Sequence, residues 1–234
     1  MHDSTSIWES IEKVQRDPLR EQIGTQIKKL ILTNRLRPGQ PIVIDRLASE
    51  LGVSHTPVRE ALAMLTHDGL VRMKPYENPR VAGIDASDVR EAWEMRVLLE
   101  GWAIGKAALV LPEEELDTIE RSLQSARQDA LESRYDAHRE SDIEMHRMIM
   151  QSTDHHLFLH LAAQVEDRSI RIRWLVEAIG SEQDVLTIVD EHCAILEALR
   201  ARDPELSRKR LIAHLEAGME RTLTALESIA ADEE

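Results

Sequence analysis

The chain has 234 residues, enough for two small domains and too few for three. Aromatic residues make up only 3% of it against 42% hydrophobic overall, which argues against an aromatic-rich β structure and for Leu, Ile, Ala and Met packing between helices. The net charge of -14 excludes a polyanion binder as a whole, but residues 1–84 hold 12 Lys+Arg against 10 Asp+Glu and the remainder 17 against 33, so only the first third tolerates phosphates.

Residues 1–18 form an N-terminal segment without the basic-then-apolar layout of a signal peptide, and no uncharged apolar run reaches the ~18 residues of a membrane span. With the single cysteine, Cys193, this predicts a cytoplasmic protein with no membrane partner. A helix is expected over 19–34, with Ile23, Ile27, Leu30 and Ile31 on one side, stopped by Pro38 and Gly39. "VIDRLASELGVSHTPVREALAMLTHDGL" then reads as two short helices joined by "GVS". Leu47 and Leu51 of the first, and Val58, Leu62 and Leu65 of the second, turn toward a shared core. Gly69 ends the second helix, and "LVRMKPYENPRVAGI" offers two short strands around a Pro/Asn turn, a hairpin wing behind a helix-turn-helix.

Beyond Ser87 strand signals vanish. Helices are expected over 87–109, 112–133, 135–151, 155–179, 182–201 and 204–229, forming one bundle. "LPEEE" and "DPEL" place proline early and acids in the first turn, where the helix dipole favours them. The predicted fold is therefore mostly α: a winged helix-turn-helix with a small β-hairpin over 19–84, then an all-α bundle over 85–234.

In "GVSHTPVREAL" Gly52 makes the turn, Ser54 can cap the next helix, and Thr56 and Arg59 project from its first turns, where a recognition helix meets bases and phosphates. Arg59 can engage guanine O6/N7 or hold a phosphate, while Arg46, Lys74 and Arg80 can supply charge to the DNA backbone. The bland alternative is a structural helix-turn-helix with a solvated arginine.

Two inward-facing charge patterns stand out in the bundle. Taking about 100° per residue, Asp142 and His146 share the middle of an apolar arc with Ile143, Met145, Ile149 and Met150 beside them. His192 is centred among Val185, Ile188, Val189, Ile195, Leu196 and Leu199, and His214 stands at the edge of an arc set by Leu211, Leu215 and Met219. Each histidine alone reads as a core residue hydrogen-bonded to a carbonyl. Together the four are costly to bury unless a cation offsets their desolvation. Three nitrogens and one oxygen suit a divalent metal, zinc first, with nickel, manganese, cobalt or iron also fitting. His138, four residues before Asp142, is a fifth ligand or a rim residue. Arg96, flanked by Val89, Trp93, Leu99 and Ala103, either pairs with Glu100 or holds the carboxylate of a ligand.

"RLRPGQPI…DRLASELGVSHTPVREALAMLTHDGLV" resembles the winged helix-turn-helix of GntR-type bacterial transcription regulators, and the remainder, from "DVREAWEMRVLLEGWA", resembles the FCD (FadR C-terminal domain) effector domain. The resemblance implies a homodimer on a short palindromic operator in double-stranded DNA, probed by Ser54, His55, Thr56 and Arg59. It also implies a small carboxylic or sugar acid effector that changes operator affinity, and a metal-binding pattern matched by Asp142, His146, His192 and His214. Two positions depart from the family: His55 stands where arginine is common, and "PYENPR" replaces a glycine-containing wing tip, with Asn78 as the residue suited to positive φ. The reading is a ligand-responsive repressor with no catalysed reaction. Its alternatives are a helical metallohydrolase, with Glu144 or Glu191 activating water, and a bundle that only dimerises.

Overall fold

The computed structural model describes residues 19–132, 136–176 and 182–232, with nine helices and one two-stranded antiparallel sheet among them. Outside the described residues lie the N-terminal segment, the ends of the predicted helices at 133, 135 and 177–179, and the side chain of His138. The chain divides into two compact units, Met1–Gly83 and Ile84–Glu234.

In the first unit α1 (Leu19–Leu32) buries Ile23, Ile27 and Ile31, one stripe at i, i+4, i+8. Helix α2 (Ile44–Leu51) ends at Gly52, whose φ of 64° closes the helix in the left-handed conformation; the next amide, of Val53, bonds back to the Ala48 carbonyl at 3.0 Å. A side chain at Gly52 would strain that turn, which is why glycine occupies it. Helix α3 (His55–His67) buries Val58, Ala61, Leu62 and Leu65 against α1 and α2. Ser54 is its N-cap by position, yet its hydroxyl makes no capping bond, contrary to the expectation. Strands β1 (Val71–Arg72) and β2 (Arg80–Val81) pair as Val71↔Val81 and Arg72↔Arg80, and an isolated bridge joins Pro41 to Arg80. The alternation puts both valines into the core and both arginines outside. Asn78 is not the left-handed residue of the wing; Tyr76 is, at φ 65°, with its ring fully exposed.

The second unit is a six-helix bundle. Asp85 opens α4 (Ala86–Val110) with a capping box: its carboxylate accepts from Ser87 and Asp88 amides, and Asp88 accepts from the Asp85 amide at 2.8 Å. Then come α5 (Glu113–Leu131), α6 (Asp136–Gln151), α7 (His156–Val176), α8 (Glu182–Arg200) and α9 (Pro204–Asp232). The starts of α5 and α9 carry the expected acids, Glu113 to Glu115 and Glu205. Helix α4 packs along α9, with α5 against α6 and α8. Trp93, Ile104, Leu116, Ile119, Leu123, Met145, Ile149, Ile195, Leu199, Leu211 and Leu215 fill the core between them. At Gly101 a Cβ would stand 3.7 Å from Ile212 of α9, an ordinary packing distance. Cys193 is only half-buried, beside this core rather than within it.

Candidate metal centre and DNA-reading face

Helix α6 delivers Asp142 and His146 on one face, α8 delivers His192 and α9 delivers His214. All four are buried, and one ligand atom from each lies within 4.8 Å of the other three. Nε2 of His192 is 3.2 Å from Nε2 of His214 and 3.4 Å from Oδ1 of Asp142, and Nε2 of His146 is 3.7 Å from that same oxygen. A zinc-sized ion with bonds of ~2.0–2.2 Å holds adjacent ligand atoms about 3 Å apart, so the spacing is of the right order.

The outer nitrogens show which way the rings face. Nδ1 of His146 is 2.5 Å from Oε2 of Glu100, and Nδ1 of His214 is 2.7 Å from Oε2 of Glu191. A carboxylate accepts, so each Nδ1 carries the hydrogen and each Nε2 turns a lone pair toward the centre. Nε2 of His146 is buried with no hydrogen-bond donor to meet it. Inward lone pairs beside the Asp142 carboxylate make a pocket for a cation, and the residues fit a divalent metal. Burial drives the His214 imidazole down to about 4 against the opposing pull of its Glu191 bond, so it is neutral, as a metal ligand must be.

The carboxylates behind the rings are themselves anchored. Arg96 donates through Nε to Oε1 of Glu100 at 2.6 Å, and Arg221 grips Glu191 with two bonds of 2.8 and 2.9 Å. Burial alone would raise Glu100, but the charges of Arg96 and His146 and their hydrogen bonds hold it well below the usual carboxylate range. Glu191 is likewise held down, to about 2, because the bonds and charges of His214 and Arg221 outweigh its desolvation. Sequence reasoning treated Glu100 only as a partner for Arg96, and named Glu191 only in the metallohydrolase alternative, as one of two candidates for activating water. Both are instead supports for imidazoles, and Glu144 is exposed on the outer side of α6, bonded to Ser122. No local spacing signalled Glu191, because the imidazole it supports, that of His214, comes from another helix.

Arg173 of α7 forms an ion pair with Asp142 that sequence reasoning did not foresee. It also lines, with Arg96, Ile143, His146, Met150 and Ser169, a cavity beside the cluster. The cavity's free space is about 10 Å³, roughly the room for one water. Arg96 thus serves Glu100 and the cavity wall at once.

On the first unit Arg46, Ser54, His55, Thr56, Arg59, Lys74 and Arg80 are all exposed. Ser54, His55, Thr56 and Arg59 cluster at the N-terminal end of α3, with its backbone amides. Nε2 of His55 lies 3.4 Å from Asp45, and Arg80 donates to the Gly39 carbonyl at 3.0 Å, so part of its guanidinium braces the wing.

Residues 19–77 match the family described as bacterial regulatory proteins, gntR family, and residues 91–217, more than half of the chain, match the FCD domain. The chain belongs to the GntR family and carries an FCD domain. This GntR-family member is a DNA-binding transcription regulator and not an enzyme, and the FCD domain is its effector-binding part. Among its relatives are the HTH-type transcriptional regulator YdhC of Bacillus subtilis, 26% identical over 90% of this chain and 93% of that one, and the HTH-type transcriptional repressor RspR of Escherichia coli, 25% identical over 85% and 86%. The structure of E. coli McbR/YncC superposes with a TM-score of 0.76 at 20% identity, covering 89% of this chain and 99% of the other. A Zn2+-bound FCD domain, that of TM0439, superposes with a TM-score of 0.51 at 24% identity, covering 63% and 99%. No helix among the described residues of the GntR-family chain is long and apolar enough to cross a membrane.

Proposed function

We propose that the chain is a metal-containing, ligand-responsive repressor that works as a homodimer in the cytoplasm. The single observation that carries this reading is the convergence of Asp142, His146, His192 and His214 beside a cavity walled by two arginines. Zinc is the first choice because three of the four ligands are imidazoles, borderline donors that suit it, and because tetrahedral coordination uses four. With all four residues bound, the ion would take an anionic oxygen only by expanding to five ligands or by releasing one of them. Repression is supported by the name given to RspR.

Arg96 and Arg173 are already paired with Glu100 and Asp142, and Glu100 and Glu166 also line the cavity, so a carboxylic or sugar acid would bind by competing for these guanidiniums. With room for about one water, the cavity admits such an acid only if its walls part. Arg173 is the movable wall: a ligand carboxylate competes with Asp142 for its guanidinium, and drawing Arg173 away shifts α7 relative to α6. A ligand that binds one arrangement of these helices more tightly shifts the population toward it, and operator affinity follows by linkage. The residues assigned to the operator are Arg46, Ser54, His55, Thr56, Arg59, Lys74 and Arg80.

The test is operator release measured by fluorescence anisotropy against a panel of small carboxylic and sugar acids. It is run on protein whose metal content has been measured and again after chelation. About one divalent ion per chain, with release by at least one acid only when the ion is present, is the expected result. Full operator affinity and unaltered acid response in the Asp142→Ala/His146→Ala variant, shown to lack metal, would remove the centre from the sensing mechanism.

A further inference from the structure

The cavity beside the metal centre has two unlike ends. It is walled by α4, α6 and α7. The ion pairs Asp142–Arg173 and Arg147–Glu166 show that α6 and α7 run antiparallel along it, since the later residue of one helix meets the earlier residue of the other. Arg173, Arg96, Glu100 and His146 gather at the end beside the metal ligands. The far end is apolar. Met150 stands one turn beyond His146 on α6, and Val165 and Ala162 lie ~12 and ~16 Å back along α7 from Arg173, with Leu99 and Ile143 along the sides. Only Glu166 and Ser169 interrupt this wall among the described residues. The Ser169 hydroxyl gives its hydrogen to the Val165 carbonyl at 2.9 Å, and Glu166 is held at 2.8 Å by Arg147, which is exposed. Both can accept a hydrogen bond, and neither has a hydrogen to give.

We propose that the effector is a short aliphatic monocarboxylic acid, its carboxylate at the guanidinium end and its hydrocarbon tail between Met150, Val165 and Ala162. The proposal rests on the acid-sensing reading above and narrows the acid. A sugar acid brings a hydroxyl on nearly every carbon, and each needs a donor as well as an acceptor once water is excluded. The far end has acceptors alone, so the oxygens of those hydroxyls would be left unpaired. A second carboxylate fares worse: it is an acceptor only, and it would meet the charge of Glu166 with no free cation beside it. A saturated tail asks nothing of that wall except burial. Space is made by Met150, whose unbranched side chain repacks more easily than a branched one. The step from His146 to Met150 is about 6 Å, which suits a tail of a few carbons.

The test is calorimetric titration of the full-length chain, its metal content measured first, with acetate, propionate and butyrate, and with threonate and succinate. Threonate is butyrate with three hydroxyls. Affinity is expected to rise about fourfold for each methylene from acetate to butyrate. Butyrate is expected to bind at least about tenfold more tightly than threonate or succinate. Val165→Thr keeps the shape and puts a hydroxyl into the tail wall; with folding checked by circular dichroism, it should weaken butyrate about tenfold and acetate less than about threefold. Affinity that stays level along the series, or threonate or succinate binding more tightly than butyrate, overturns the aliphatic tail and leaves the acid-sensing reading standing. Equal weakening of acetate and butyrate by Val165→Thr overturns the placement of the tail. A metal-loaded chain that binds none of the five acids overturns this ligand, and one that also gives no thermal shift with a wider panel of carboxylic and sugar acids overturns the acid-sensing reading as well.

Discussion

At the scale of single residues, the carboxylates behind the imidazoles govern the centre as much as the ligands do. Glu191→Gln keeps the shape but gives His214 a neutral partner and removes the anchor of Arg221. Metal affinity, read by competition with a chromophoric chelator, is expected to fall ~10–100-fold, the usual effect of removing such support. Without metal the bundle should also be acid-sensitive. His214 is lowered from 6.5 to about 4 and Glu191 from 4.5 to about 2, so both bind protons more readily in the unfolded chain. Their contribution to stability is complete above pH 6.5 and is lost as pH falls, first through the His214 window and then through that of Glu191. Thermal melts of chelated protein across that range should show it, and a melting temperature flat from pH 7 to pH 4 would contradict the assignment. Asp142, His146 and His192 were legible in the sequence because each sits inside an apolar arc. Arg173 was not: α7 alternates polar and apolar residues around its circumference, so spacing alone did not tell its inner side from its outer one.

At the scale of elements, helices were readable where capping or turn chemistry marked their ends. Gly52 is the clearest case, and Gly52→Ala is expected to destabilise the first unit by about 1 kcal/mol, since alanine must then take a left-handed φ. Chemical denaturation followed by far-ultraviolet circular dichroism would measure it, and an unchanged midpoint would mean the turn relaxes without strain. The wing tip was misjudged for a related reason. Asparagine tolerates positive φ better than tyrosine, so local propensity chose Asn78. The pairing register, with Pro79 buried and Val81 in the core, leaves the reversal to Tyr76 instead. Ser54 shows the converse, a capping residue in the capping place whose hydroxyl stays unspent and open to a phosphate.

At the scale of the whole molecule, charge is divided by task. Residues 1–84 carry a balance of +2 and the remainder -16, so the acidic bundle repels a polyanion that the head must hold. Operator affinity should therefore fall steeply and linearly in a log–log plot against salt concentration. Arg59→Ala should weaken it by about 1–3 kcal/mol if the guanidinium reads guanine, most strongly on the native operator. Equal loss on every sequence would make Arg59 a phosphate contact, and no loss in a gel shift would remove it from the interface. Fold class was legible at this scale because helical periodicity runs almost unbroken from residue 87 onward. The internal pairing of the bundle was not, since which helix lies beside which, α4 along α9 and α5 against α6 and α8, depends on contacts between helices that no single helix announces.

The four inward ligands come from α6, α8 and α9, so the last of them, His214, is made well after the operator-reading head. During translation the head can be complete while the ion-binding set is still missing a donor. A chain cut short between α8 and α9 would thus lack both the fourth ligand and the helix that packs along α4.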